Sequence, residues 1–172
     1  MSLPPACLRS LSFISIGVVV GIACFFSIGC RTPGPQLQIY DPVADGEVLL
    51  SEALKAANQN GHRVLLNLGA NWCSDSQKMY RLLREDPVIA PFVQTHYVLA
   101  VVDVNNRWGP QRNAALLDRL GVSLSKGIPV LLILDTDGHV MNSDPSKRLA
   151  DSDHKRPRKV LRYLAKWASV RQ

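Results

Sequence analysis

Cysteine is scarce beyond the first thirty residues of this 172-residue chain. Cys7, Cys24 and Cys30 fall inside that stretch, and Cys73 stands alone after it. This pattern excludes a disulfide-stapled scaffold and a cysteine-rich zinc module. Neither a glycine-rich phosphate loop nor a Ser–His–Asp elbow is present. His62, His96, His139 and His154 are scattered, and none stands at metal-ligand spacing from Cys73. They read as surface or packing residues. A copper or zinc site lacks a second thiol, so no metal is expected and no cofactor is implied. Internal repeats are missing, and no proline- or glycine-rich linker dominates. Charge is missing between Arg9 and Arg31.

What is present is globular in composition, with 47% hydrophobic and 20% charged residues. The length allows one domain, or one domain with an appendage. The formal charge of +6 is unevenly placed. Residues 147–172 hold nine Lys or Arg against two Asp, which leaves the rest of the chain close to neutral. Lys155, Lys159, Arg162 and Lys166 recur at helical spacing opposite Val160, Leu161, Leu164 and Trp167. They read as a solvated outer face, with contact to anionic phospholipid as the alternative. No stacking aromatics line this face, and nucleic acid is not expected as a partner.

Arg9 followed by the apolar stretch Ser10–Cys30 has the form of a secretory signal. Ser27-Ile28-Gly29-Cys30 resembles a bacterial lipobox, in which a small residue precedes a cysteine that becomes lipidated and N-terminal. Ser27 departs from the aliphatic residue usual there. The resemblance implies a lipid anchor at Cys30 and a periplasm-facing domain on the bacterial cell envelope. Arg31 is not the Asp associated with inner-membrane retention, so the outer membrane is expected. An uncleaved membrane-spanning anchor and a soluble exported form are the alternatives. The expected organisation is a signal over residues 1–30, a stiff tether over 31–45 and a domain over 46–172.

Along that domain, Val48, Leu50, Ala53, Leu54 and Ala57 predict a helix that begins after Asp45 and stops at Gly61. Residues 64–69 predict a buried strand, Ser74 to Arg84 a helix broken at Pro87, and Val88 to Gln94 a short helical turn. Tyr97–Val104 is apolar enough for a central parallel strand. Arg112–Leu120 predicts a helix closed by Gly121. Residues 129–134 predict a third strand, followed by an Asp135–Gly138 turn into a short strand at His139–Met141. Pro157 opens a last helix. Alternation of this kind predicts an α/β fold with a mixed sheet.

This order, with Asn71-Trp72-Cys73-Ser74-Asp75-Ser76 at the end of the first strand, resembles the thioredoxin fold. Gly127-Ile128-Pro129-Val130 resembles the segment holding that family's cis-proline, which faces the active cysteine. The Asp137-Gly138 hairpin falls where the family has one. The resemblance spans about residues 46–170 and implies a mixed central sheet flanked by helices on both faces. The segment from Trp108 to Ser125 is longer than in minimal members. By the same resemblance, Cys73 is the nucleophile with Trp72 beside it, and Ile128 and Pro129 shape a groove for an extended peptide.

A cysteine at a strand-to-helix junction meets free backbone N–H groups and the positive end of the helix dipole, which stabilise a thiolate. Thiolates attack disulfides, sulfenic acids and peroxides. The family's second cysteine, three residues on, is replaced by Ser76. Serine cannot form the disulfide, but it can donate a hydrogen bond to the Cys73 sulfur. The family's buried Asp, six residues before the nucleophile, is replaced by Asn67, which cannot act as a base. Asp75 favours the helix start and disfavours the neighbouring thiolate. Asp103, Asn105 and Asn106 end the second strand, at the sheet edge where such folds bind ligands, but they read first as loop formers.

Three functions compete. One is a membrane-tethered monomer that acts on cysteine-containing proteins or a small thiol through Cys73 alone. Another is a peptide-binding module in which Cys73 is incidental. Thiol peroxidase chemistry is third, since no activating Arg or Thr pattern precedes Cys73.

Overall fold

The computed structural model describes residues 38–104, 107, 109–144 and 148–168. The stretch 10–30, the lipobox-like Cys30, and Asn105 and Asn106 lie outside the described residues. Helix α1 spans Gly46–Asn60. The Asp45 carboxylate accepts the Glu47 N–H at 2.8 Å, which caps the helix start. Gly61 ends it at φ 65°, a left-handed conformation that favours glycine. Strand β1 follows at Arg63–Gly69, α2 at Ser74–Glu85, α3 at Ile89–His96 and β2 at Tyr97–Asp103. Helix α4 is Ala114–Arg119, β3 is Val130–Leu134, a 3₁₀ turn is Asp151–Lys155, and α5 is Pro157–Trp167.

The described sheet has three strands in the order β2-β1-β3. Strand β2 runs parallel to β1, with Leu66 opposite Ala100, and β3 runs antiparallel, with Leu66 opposite Leu132. The central strand is therefore β1, buried at every position but its first. Tyr97–Val104 is expected at the centre, but among the described strands β2 lies at an edge, and its apolar run is only partly buried. The strand-like apolar run reflects packing against α1 and α3 as much as pairing.

Two apolar layers sandwich the sheet, because alternate strand residues point to opposite faces. Val64, Leu66 and Leu68 pack with Leu50, Ala53 and Ala57 of α1 and with Leu116 and Leu117 of α4. Leu65, Leu131 and Ile133 pack with Met79 and Leu83 of α2, Val93 of α3, and Val160 and Leu164 of α5. The fold is α/β, with helices on both faces of the mixed sheet. Fully burying each Leu or Val contributes about 1.5–3 kcal/mol.

Helix α4 begins two residues later than its apolar spacing predicts. Asn113 is diverted at φ 55°, where its amide accepts the Gly46 N–H at 2.9 Å and donates to the Asp103 carbonyl at 2.8 Å. Arg112 pairs with Asp103 at 3.0 Å. The predicted strand at His139–Met141 reduces to one bridge, Val140 to Leu134. The Asn142 side chain takes over the edge of β3. It accepts the Ile133 N–H at 2.8 Å and donates to the Leu131 carbonyl at 2.9 Å.

Helix α5 carries Pro157 in its first turn, and Arg63 donates to the Trp167 carbonyl at its end, 2.6 Å away. On its basic side, Lys159 is paired with the buried Asp153 at 2.7 Å. Among the described residues no helix is long and apolar enough to cross a membrane.

Candidate functional site

The central strand delivers the chain to Gly69, and residues 70–72 turn it into α2. The Cys73 N–H donates to the Ala70 carbonyl at 3.1 Å, closing that turn. Cys73 is the residue that precedes the first turn of α2, with extended backbone at φ −90° and ψ 110°. Its side chain caps no N–H of that turn. The half-buried Cys73 thiol instead donates to the Ile128 carbonyl, with sulfur and oxygen 3.4 Å apart. The Ile128–Pro129 peptide bond is cis. Tertiary structure thus brings Cys73, Ile128 and Pro129 together across more than fifty residues of sequence.

Trp72 is exposed beside the thiol, and the Arg107 guanidinium lies over its ring at 5.1 Å. Such stacking is a cation–π contact. The mouth next to Pro129 opens into a cleft of about 300 Å³, lined among others by Ser123, Ser125, Lys126, Arg148 and Leu149.

Ser76 is fully buried one helical turn beyond Cys73, and its hydroxyl makes no hydrogen bond within the protein. The expected donation from Ser76 to the Cys73 sulfur is not made. The thiol is turned toward Ile128, so its contact lies across the groove rather than along the helix. Asn67 is also fully buried, with neither amide atom hydrogen-bonded.

Tyr40 completes this back wall, and sequence reasoning missed it by placing it in the tether. Ile39 and Tyr40 are packed into the fold, and Tyr40 is wholly buried. Asn71 holds them. Its Oδ1 accepts the N–H groups of Ile39 and Tyr40 at 2.9 and 3.0 Å, and its Nδ2 donates to the Tyr40 carbonyl at 2.6 Å. The Gln77 side chain in turn donates to the Asn71 carbonyl. Tyr40 Oη donates to the Ser76 carbonyl at 3.2 Å. Burial drives the Tyr40 phenol above its ordinary range, and the nearby Asn67 and Ser76 side chains offset only part of this. The signal in the sequence was a lone aromatic among turn formers, which polar neighbours obscured.

Among the other candidates, His154 is a buried packing residue whose Nε2 lies 3.5 Å from Asp75. The Asp135, Asp137 and His139 donors converge on the hairpin turn. There the Asp135 carboxylate accepts the Asp137 and His139 N–H groups at 3.1 and 2.8 Å, the work of a turn former.

A thioredoxin-like family model matches residues 47–136. The chain belongs to the thioredoxin-like family. Among solved structures, this thioredoxin-like protein is similar to a disulphide isomerase from Xylella fastidiosa Temecula1. Identity is 26%, coverage 72% of this chain and 97% of that one, and the TM-score 0.58. It also matches a protein described as DsbH oxidoreductase, at 22% identity, with 77% and 95% coverage and a TM-score of 0.49. A thioredoxin from Thermus thermophilus matches at 23% identity, with 67% and 82% coverage and a TM-score of 0.48. No match to a curated protein was found.

Proposed function

We propose that this thioredoxin-like protein exchanges thiols and disulfides through the single sulfur of Cys73, on cysteine-containing proteins at the periplasmic side of a membrane that holds it by a lipid on Cys30. The contact between Cys73 Sγ and the Ile128 carbonyl carries the chemical part. It sets the one described thiol against the carbonyl that precedes the cis Ile128–Pro129 bond, at the start of α2. Similarity to a disulphide isomerase supports the same direction. The anchoring part rests on the lipobox-like Ser27–Cys30.

Exchange balances without an outside oxidant. The Cys73 thiolate attacks one sulfur of a substrate disulfide. A bond forms from Sγ to that sulfur, the substrate bond breaks, and the other substrate sulfur leaves as a thiolate and takes a proton. A second thiolate, from the substrate or a small thiol, then attacks the substrate sulfur of the mixed disulfide. It forms the new disulfide and releases Cys73 as a thiolate. Ser76, having no thiol, cannot intercept the mixed disulfide, so the substrate side resolves it.

The test is incubation of the full chain in detergent with a protein carrying mispaired disulfides, followed by mass spectrometry. The reading requires a mixed disulfide at Cys73 and faster re-pairing than with Cys73→Ala. A Cys73 that never enters a mixed disulfide would sink it. Binding of the same protein with equal affinity by wild type and Cys73→Ala, without re-pairing, would favour the peptide-binding reading that the cleft beside Pro129 also serves.

A further inference from the structure

The N–H groups of a helix's second and third residues, at the positive end of its dipole, stabilise an unprotonated thiol at the residue before the helix. For Cys73 these belong to Asp75 and Ser76. The orientation of that first turn therefore decides how well a Cys73 thiolate is held.

Tyr40 grips this turn from behind. Its phenol donates to the Ser76 carbonyl at 3.2 Å. Its ring lies against Gly69, where a Cβ would fall 2.5 Å from the ring carbon and hydroxyl, so only glycine admits it there. Its backbone is clamped by Asn71, two residues before the cysteine. One short segment thus fixes the strand end before Cys73, the turn leading to it and the helix start after it. Since burial keeps the phenol protonated, it acts as a donor and not as a base.

We infer that Tyr40 is a positioning residue for Cys73, setting the first turn of α2 so that its N–H groups cap the thiolate. The inference deepens the proposed exchange chemistry, whose nucleophile it concerns. The other ionisable groups around the pair include Asp75 on α2 with its partner Lys78, Asp103 on β2 with its partner Arg112, His154 on the 3₁₀ turn, and Arg107 above Trp72. None of them is altered in the test.

The test is alkylation of Cys73 by iodoacetamide in the full chain in detergent, followed by peptide mass spectrometry across pH, with circular dichroism to report folding. Tyr40→Phe keeps the ring and removes the donor. Its Cys73 alkylates more slowly at neutral pH, by at most about fivefold, the ratio that one whole neutral hydrogen bond would give. The profile moves to higher pH and reaches the wild-type limiting rate. Asn71→Ala, which frees the Tyr40 backbone and leaves its hydroxyl, moves the profile the same way. Unmoved profiles in both folded variants overturn the inference. Alkylation needs no substrate, so the comparison stays readable even if wild-type Cys73 fails to enter mixed disulfides.

Discussion

Asn142 stands in for a strand against Ile133. Its side-chain amide accepts the Ile133 N–H at 2.8 Å and donates to the Leu131 carbonyl at 2.9 Å, next to the Met141 N–H, which donates to the Ile133 carbonyl at 2.8 Å. One side chain thereby satisfies two buried backbone groups at the edge of β3, which would otherwise template pairing with another chain. Replacement by Ala leaves both groups buried without partners. Asn142→Ala is expected to lower unfolding stability by about 2–6 kcal/mol, at about 1–3 kcal/mol for each of the two unsatisfied groups. Urea denaturation checks it, and a loss below 1 kcal/mol would show that the edge is solvated instead.

Ser76 sits where a second thiol would resolve a mixed disulfide. With thioredoxin reductase as the reductant and no small thiol present, wild type is expected to give negligible insulin reduction, and Ser76→Cys to form an internal disulfide with Cys73, detected as a mass loss of two hydrogens. Failure of that bond under oxidising conditions would mean that the two side chains do not approach within disulfide geometry.

The buried Asp153 carboxylate accepts from Lys159 at 2.7 Å and from the Ala150 N–H at 2.9 Å. Burial raises its pKa, but these two contacts outweigh burial and hold it below the ordinary carboxylate value. Its folded-state pKa is depressed, so its stabilisation is complete above about pH 4 and is lost as pH falls through the folded value. Asp153→Ala should cost about 2 kcal/mol at pH 7, and the gap between variant and wild type should narrow on acidification below pH 4. Thermal melts from pH 7 to pH 2.5 read this. A gap that widens toward acid would contradict the sign.

Lipidation at Cys30 is expected to place the protein in the membrane fraction. Cys30→Ser should abolish incorporation of radiolabelled fatty acid and either release the domain or leave an unprocessed precursor. Unchanged labelling and fractionation would reject the anchor.

The sequence by itself determined the order of elements. Asp45 and Gly61 punctuate α1, Pro157 opens α5, and the apolar runs fall at the periods of a helix or a strand. Those are local properties, set by backbone conformation and by which side chains share a face. It also singled out Cys73, because a cysteine at the start of a helix is a local feature.

Tertiary structure alone decided the rest, because it depends on contacts between residues far apart in the chain. An apolar run such as Tyr97–Asp103 looks alike at the centre or edge of a sheet, and only pairing puts β1 between its neighbours. A side-chain amide can replace a strand, as Asn142 does, with no trace in the pattern of apolar residues. Ser76 is buried with its hydroxyl away from the sulfur it was expected to reach, since the Cys73 thiol turns toward Ile128, fifty-five residues along the chain. Tyr40 lies in a polar stretch and becomes the back wall of the site only because the space above Gly69 accepts an aromatic ring. Steric fit of that kind is set by the folded chain, which no local spacing encodes.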